Sequence, residues 1–109
     1  MKEGDKLYVV SRSDLPTGVQ MAQQGHAVSE FWARHFDLAK EWHDKSNFIC
    51  VLHIDDEHLL TKLMHKAIDK HIPCAGFREP DIEDQLTAIV LHPTGKDLVR
   101  HLRLAFSSN

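Results

Sequence analysis

Cysteine, proline and glycine are scarce in this chain, at two, four and five residues of 109. Cys50 and Cys74 have no Cys-x-x-Cys partner, and each lies in an apolar segment. That excludes a disulfide scaffold, and both read as buried free thiols of a reducing compartment in preference to a disulfide. No repeat, low-complexity tract or Gly/Pro/Ser-rich linker interrupts the sequence, so one domain over residues 1–109 is expected. No apolar run approaches the roughly 18–20 residues of a membrane span. The polar opening Met1-Lys2-Glu3-Gly4-Asp5-Lys6 lacks the apolar stretch of a secretory signal. The expectation is a cytoplasmic protein with no membrane contact. Positive charge is short as well: 13 Lys and Arg against 16 Asp and Glu leave a net charge of −3. A globally basic nucleic-acid binder is excluded, whereas a local basic face is not.

Histidine, in contrast, occurs nine times. With an ordinary pKa of about 6.5, these rings move the charge balance toward neutral or positive near pH 6, so attraction to an anionic partner should strengthen as pH falls. They do not have metal-site spacing. No His-x-x-x-His or His-Glu-x-x-His occurs, and His58 and His65, two helical turns apart, are separated by roughly 10 Å, too far to share one zinc. No metal or other cofactor is expected.

Hydrophobic residues make up 42% of the chain and charged residues 27%, the balance of an ordinary globular protein with one core. The run Leu7–Val10 reads as a buried strand entering a polar loop, Ser11–Asp14. Thr17 and Gln20 form a capping-box pattern opening a helix, with Met21, Ala22, Ala27, Val28, Phe31 and Trp32 on its apolar side. The pattern reaches about Phe36, and Leu38, Ala39 and Trp42 extend or restart it. Asn47–Ile54 is nearly continuously apolar, as in a strand covered on both faces. Asp55 and Asp56 cap a helix that buries Leu59, Leu60, Leu63, Met64, Ala67 and Ile68. Pro73 ends it and opens a strand over Cys74–Phe77. The polar stretch Arg78–Gln85 leads to a strand over Leu86–Leu91, by a hairpin or a non-adjacent return. Thr94 and Asp97 repeat the capping logic for a last helix burying Leu98, Val99, Leu102 and Phe106. Ser107-Ser108-Asn109 should fray. The order β-α-β-α-β-β-α indicates an α/β fold, and the alternation argues for a mostly parallel sheet.

In such sheets ligands sit beyond the carboxyl ends of strands, where loops feed helix N-termini. The loop Ser11–Gly18 lies at such an end, and the helix behind it offers amides suited to a phosphate or an oxyanion around Thr17, Gly18 and Gln20. Gln23 and His26 are three residues apart and share a face, and His26 and Glu30 are four apart. An imidazole there can act as a base toward water; the plainer reading is that Gln23 and His26 bond the neighbouring loop. A second candidate cluster is Arg78-Glu79-Pro80-Asp81, a cation beside two carboxylates, whose plainer reading is a structural ion pair. Thr87 can supply a hydroxyl. Two basic stripes, His58-Lys62-Lys66-Lys70 and Lys96-Arg100-Arg103, are either ordinary solvated faces or parts of an RNA-binding face.

Val9-Val10-Ser11-Arg12-Ser13-Asp14-Leu15, then Gly18, then Ala22-Gln23-Gln24-Gly25-His26-Ala27 resembles the opening of the archaeal/eukaryotic-type peptidyl-tRNA hydrolases. In that family a strand ends in Val-Arg-x-Asp-Leu, a turn bears glycine, and a helix begins near Ala-Gln-x-x-His-Ala. Phe77–Asp81 and Leu86–Ile89 resemble the matching loop and final strand of bacterial relatives. The resemblance implies a three-layer α/β/α sandwich around a four-stranded mixed sheet. It also implies metal-independent hydrolysis of the ester joining a peptide to the 3′ end of tRNA. Carried over by position, Asp14, Gln23, His26 and Thr87 would surround the site. From the residues themselves, Glu79 and Asp81 are the candidate acidic partners, and Thr17, Gly18, Gln20, Arg78, Lys62, Lys66, Lys96 and Arg100 the candidate substrate contacts. The chain departs from the family in two places. Its turn Pro16-Thr17-Gly18-Val19 carries none of the family's lysines. An ungapped match also puts Ala75 where the family has aspartate and Glu79 where it has threonine. The alternative is therefore an inactive member of the fold that binds tRNA or a protein. Phe31, Trp32, Phe36 and Trp42 could include a homodimer patch.

Overall fold

The structure, a computed structural model, describes residues 1–107; Ser108 and Asn109, where fraying is expected, lie outside the described residues. Four strands form one sheet: β1 (Lys6–Arg12), β2 (Phe48–Ile54), β3 (Cys74–Glu79) and β4 (Gln85–Leu91), in the order β2-β1-β4-β3. The helices are α1 (Thr17–Arg34), α2 (Phe36–Lys45), α3 (Glu57–Asp69) and the short α4 (Lys96–Val99).

β1 and β2 are parallel, and β4 runs antiparallel to both β1 and β3. The sheet is thus mixed, as the family resemblance implies and unlike the mostly parallel sheet that alternation alone suggests. The reason is the link between β3 and β4. Five residues cannot carry the crossover that parallel neighbours need, roughly a dozen or more, so β4 folds back as a hairpin. Its turn is a 3₁₀ segment, Pro80–Ile82, followed by Glu83 and Asp84 in the left-handed region, φ 51° and 60°. β1, β2 and β3 consequently point the same way, and their carboxyl ends lie at one end of the sheet.

Alternation along the strands separates two cores. Leu7, Val9, Ala75, Ala88 and Val90 face Ala27 and Phe31 of α1 and Ala39 and Trp42 of α2. Tyr8, Val10, Leu52, Ile54, Leu86, Ile89 and Leu91 face Leu60, Leu63 and Ala67 of α3 together with Val99. This is the three-layer sandwich.

Several local expectations change. β1 runs through Ser11 and Arg12, both buried, where a polar loop is expected, because side chains from α1 and the β4 start satisfy their polar groups. α1 starts at Thr17, but Pro16 is its N-cap and no side chain caps it; Gln20 turns inward, so the capping box does not form. Met21 and Ala22 are exposed while Gln20 and Gln23 are buried. The helix breaks at His35 and restarts as α2, which buries Trp42 and leaves Phe36 59% exposed; Phe31 is in the core, so no patch of four aromatics exists. β2 is an edge strand, with Phe48 and Ile49 about half exposed. In α3, Leu59 and Ile68 are exposed. The last helix ends at Val99, because the chain turns back to bond the β2 edge through His53 N–H to Arg103 O (3.0 Å) and Ala105 N–H to Val51 O (2.9 Å). Phe106 therefore lies exposed against the His53 ring instead of in the core. Both cysteines are free and half-buried. No described helix is long and apolar enough to cross a membrane.

Candidate active site

The carboxyl ends of β1 and β3 and the first half of α1 enclose a polar network on the α1 face of the sheet. Ser11 precedes the strand end with its side chain turned to α1, and its hydroxyl oxygen accepts from Gln24 Nε2 at 2.9 Å. The Ser11 hydroxyl donates to Gln20 Oε1 at 3.4 Å, and Gln20 Nε2 donates to Leu15 O at 2.6 Å. Buried Gln20, half-buried Gln24 and Ser11 thus fix the β1–α1 loop against the helix without any charge.

Gln23, one residue short of a turn further along α1, holds the centre. Its Nε2 donates to Glu79 Oε1 at 3.0 Å, and its Oε1 accepts from the Thr87 hydroxyl at 2.8 Å. Thr87 reaches this face through a bulge. The β3–β4 register jumps from Phe77↔Ala88 to Arg78↔Leu86, so Thr87 is the extra residue on β4. Ala88 packs against α1 and Leu86 against α3, and Thr87 joins Ala88 on the α1 face. A bulge re-aims a side chain in this way. His26, the next residue on the same helix face, is exposed and stacks on Phe77, with ring centroids 4.4 Å apart and 19° between planes.

The bend near Pro80 and the front of α1 therefore meet, through Gln23 and Glu79. The other predicted residues fall elsewhere. Asp14 is clamped by Arg12 through Nε (2.9 Å) and Nη2 (2.8 Å), which holds its carboxyl below the usual carboxylate range, first through those hydrogen bonds. Arg12, buried, also donates to Gln85 Oε1 (2.9 Å) and Leu86 O (3.2 Å). Arg12 thereby ties Asp14 to the start of β4. Asp81 is exposed on the 3₁₀ turn, with no hydrogen bond or ion pair among the described residues. Arg78 is exposed and, among the described residues, reaches Asp84 O alone, at 3.4 Å. Thr17 and Gly18 are exposed at the uncapped start of α1. Neither Glu79 nor Asp81 hydrogen-bonds His26 among the described residues. Ser11 and Gln24 were not candidates by sequence; a strand serine 13 residues before a helical glutamine carries no recognisable spacing.

Lys62 and Lys66 on α3 line a different hollow, about 490 Å³, with Leu59, Leu98, His101 and Arg103. It lies on the α3–α4 face, across the sheet from Gln23. Arg100, exposed, pairs with Asp97 at 2.7 Å, and Lys96 opens α4. The basic stripes and the polar network thus occupy opposite faces. Lys96, Arg100 and Arg103 do not form a helical stripe, since α4 has four residues. Among the described residues, no group of three or more His, Cys, Asp and Glu side chains is placed to hold a metal.

A family model described as peptidyl-tRNA hydrolase PTH2 matches residues 5–106. No curated protein matches the chain. A solved structure, that of a protein of unknown function from Agrobacterium tumefaciens strain C58, is similar with a TM-score of 0.65 at 13% identity, over 91% of this chain and 96% of that one. At that identity the likeness is one of fold.

Proposed function

The chain belongs to the peptidyl-tRNA hydrolase PTH2 family, and from that premise we propose that it hydrolyses the ester between a peptide, or an N-blocked amino acid, and tRNA. One observation carries the reading: Gln23 joins Glu79 to Thr87 directly beside an exposed histidine. Stacking on Phe77 fixes the plane of the His26 ring and leaves its edge to solvent. In this reading His26 takes the proton of an attacking water, and Glu79, oriented by the Gln23 amide, holds that water. Water oxygen bonds to the ester carbonyl, the bond to the ribose oxygen then breaks, and His26 returns the proton to that leaving oxygen. The products are a peptide carboxylate and tRNA with a free terminal hydroxyl. Thr87 keeps Gln23 in the one amide orientation that can donate to Glu79.

The uncapped amides at Thr17, Gly18 and Val19 lie roughly 12 Å along the helix from His26, a spacing that suits a phosphate near the tRNA terminus rather than the reacting carbonyl. Lys62, Lys66, Lys96 and Arg100 are proposed as sequence-independent contacts to the rest of the tRNA backbone. No metal or cofactor enters the reading.

The test is turnover of N-acetyl-aminoacyl-tRNA by the purified protein. His26→Ala and Glu79→Gln should each lower the rate by about 10²–10⁴-fold. Wild-type turnover no faster than buffer overturns the enzyme reading. A second reading has its own support: the α1 turn has no lysine, and Ala75 is a core residue at the family's aspartate position. If tRNA binds without being cleaved, the chain is an inactive binding member of the fold.

A further inference from the structure

β3 is the last strand of the sheet, and no other strand among the described residues pairs with its outer side. Which main-chain groups face outward follows from the hydrogen bonds at its ends. Pro73 O accepts from His92 N (2.9 Å) and Glu79 O from Asp84 N (3.0 Å), both on the β4 side. Successive residues alternate, so Pro73, Ala75, Phe77 and Glu79 face β4 and Cys74, Gly76 and Arg78 face out. Cys74 O confirms the alternation, since it bonds the His35 Nε2 outside the sheet at 2.9 Å. Gly76 and Arg78 are left with an N–H and a C=O each that have no partner among the described residues.

A groove of about 430 Å³ runs along this edge, with Glu30 and Arg34 of α1 on one wall and Met64 and Ile68 of α3 on the other. His26, Glu30 and Arg34 recur every four residues along α1, so the α1 wall leads back to the histidine. Phe77 belongs to both places: it lines the groove and carries the His26 ring. The groove is thus open to the candidate active site at its β3 carboxyl end. Its α3 wall is apolar, with Ile68 52% exposed.

We infer that this edge docks the peptide moiety of the substrate, which adds to the sheet as a fifth strand paired with Gly76 and Arg78. The inference rests on the hydrolase reading for its occupant. A peptide attached to tRNA has no fixed sequence, and unpaired main-chain donors and acceptors recognise any sequence, as strand addition does elsewhere. The reacting carbonyl is the peptide's carboxyl end and sits near Glu79, so the peptide runs parallel to β3, its upstream residues toward Cys74. Gly76 to Arg78 spans about 7 Å, enough to pair three residues of an extended chain. Side chains on one face of the added strand rest on Met64 and Ile68, those on the other on the Glu30–Arg34 pair.

The test needs no variant and no turnover. Amide hydrogen exchange is measured residue by residue with N-acetyl-tetraalanine amide as the probe. With the peptide at about ten times its Kd, exchange at Gly76 and Arg78 should slow about tenfold, while core amides stay unchanged. N-methylation of alternate peptide amides should remove the protection. Peptide binding that leaves Gly76 and Arg78 unprotected overturns the inference, as does no binding, or protection that rises with protein concentration in the absence of peptide, which is pairing between two copies. An inactive protein that still shows peptide-dependent protection would defeat the hydrolase reading and leave the strip standing. Active protein without protection would do the reverse.

Discussion

Thr87 is the residue that fixes the Gln23 amide at the centre of the polar network. It has no exposure, and its hydroxyl donates to Gln23 Oε1 while lying 3.2 Å from Phe77 O. Thr87→Val keeps the volume and removes the donor, leaving a buried amide oxygen unpaired. That should cost about 1–3 kcal/mol of stability, read from urea denaturation, and should slow ester cleavage as Gln23 loses its fixed orientation. Arg12 and Asp14 set a different dependence. The Asp14 carboxylate is favoured in the fold by its hydrogen bonds to Arg12, so the folded chain holds fewer protons there than the unfolded one. Its stabilising effect is present above the ordinary value of 3.8 and is lost as pH falls through the lowered folded value. Denaturant midpoints should drop below about pH 4 in the wild type and less steeply in Asp14→Asn. At this scale the sequence supplied the residue types Gln23, His26 and Thr87, but no spacing could pair Gln23 with Glu79, 56 positions away.

Among the elements, α3 was the most legible because its signals are local. Asp56 is its N-cap, accepting from Leu59 N at 3.0 Å, and Asp56→Ala should cost about 1 kcal/mol in thermal or chemical denaturation. The capping logic failed where tertiary bonds competed. At α1 the Gln20 amide is drawn to Leu15 O and Ser11. At the chain's end, His92 rather than Thr94 caps the turn through Nδ1. His92 and His53 share a pH effect. Each accepts a main-chain N–H at Nδ1, from Thr94 (3.2 Å) and Phe106 (3.3 Å), and burial pushes both below 6.5. Nearby Arg103 lowers His53 further. The unfolded chain therefore binds more protons between the lowered values and 6.5. Stability from these rings is full above that pH and falls below it. Denaturant midpoints should rise as pH goes from about 5 to 7, and His53→Asn should flatten part of the slope. These two rings also lag in the gain of positive charge on acidification, so the pH-driven attraction to anions is smaller than nine free histidines would give.

For the whole molecule, the sheet separates the polar network from the basic face. The polar network lies on the α1 face, and Lys62, Lys66 and Arg103 gather on the α3–α4 face. The basic hollow is lined also by His53, Ile54 and Asp55 at the carboxyl end of β2, and in the proposed reading one RNA chain passes from it to the polar network around that end of the sheet. Lys62→Ala with Lys66→Ala should lower the salt slope of tRNA binding by about 1.4–1.8 if each contacts a phosphate, measured as affinity from low to physiological salt. An unchanged slope removes α3 from the RNA path.

Local pattern by itself determined the strand and helix order, the α3 cap and the family motifs around Asp14, Gln23 and His26, because these rest on neighbours within a few residues. Only the tertiary structure decided the rest. The short β3–β4 link reversed β4 and placed β2 and β3 at the edges; the bulge then turned Thr87 toward α1; and the returning chain end cut α4 to one turn. The pairing of β4 with β1, the Thr87–Gln23 bond and the bonds of residues 103 and 105 to β2 each join segments far apart in sequence, which periodicity cannot express.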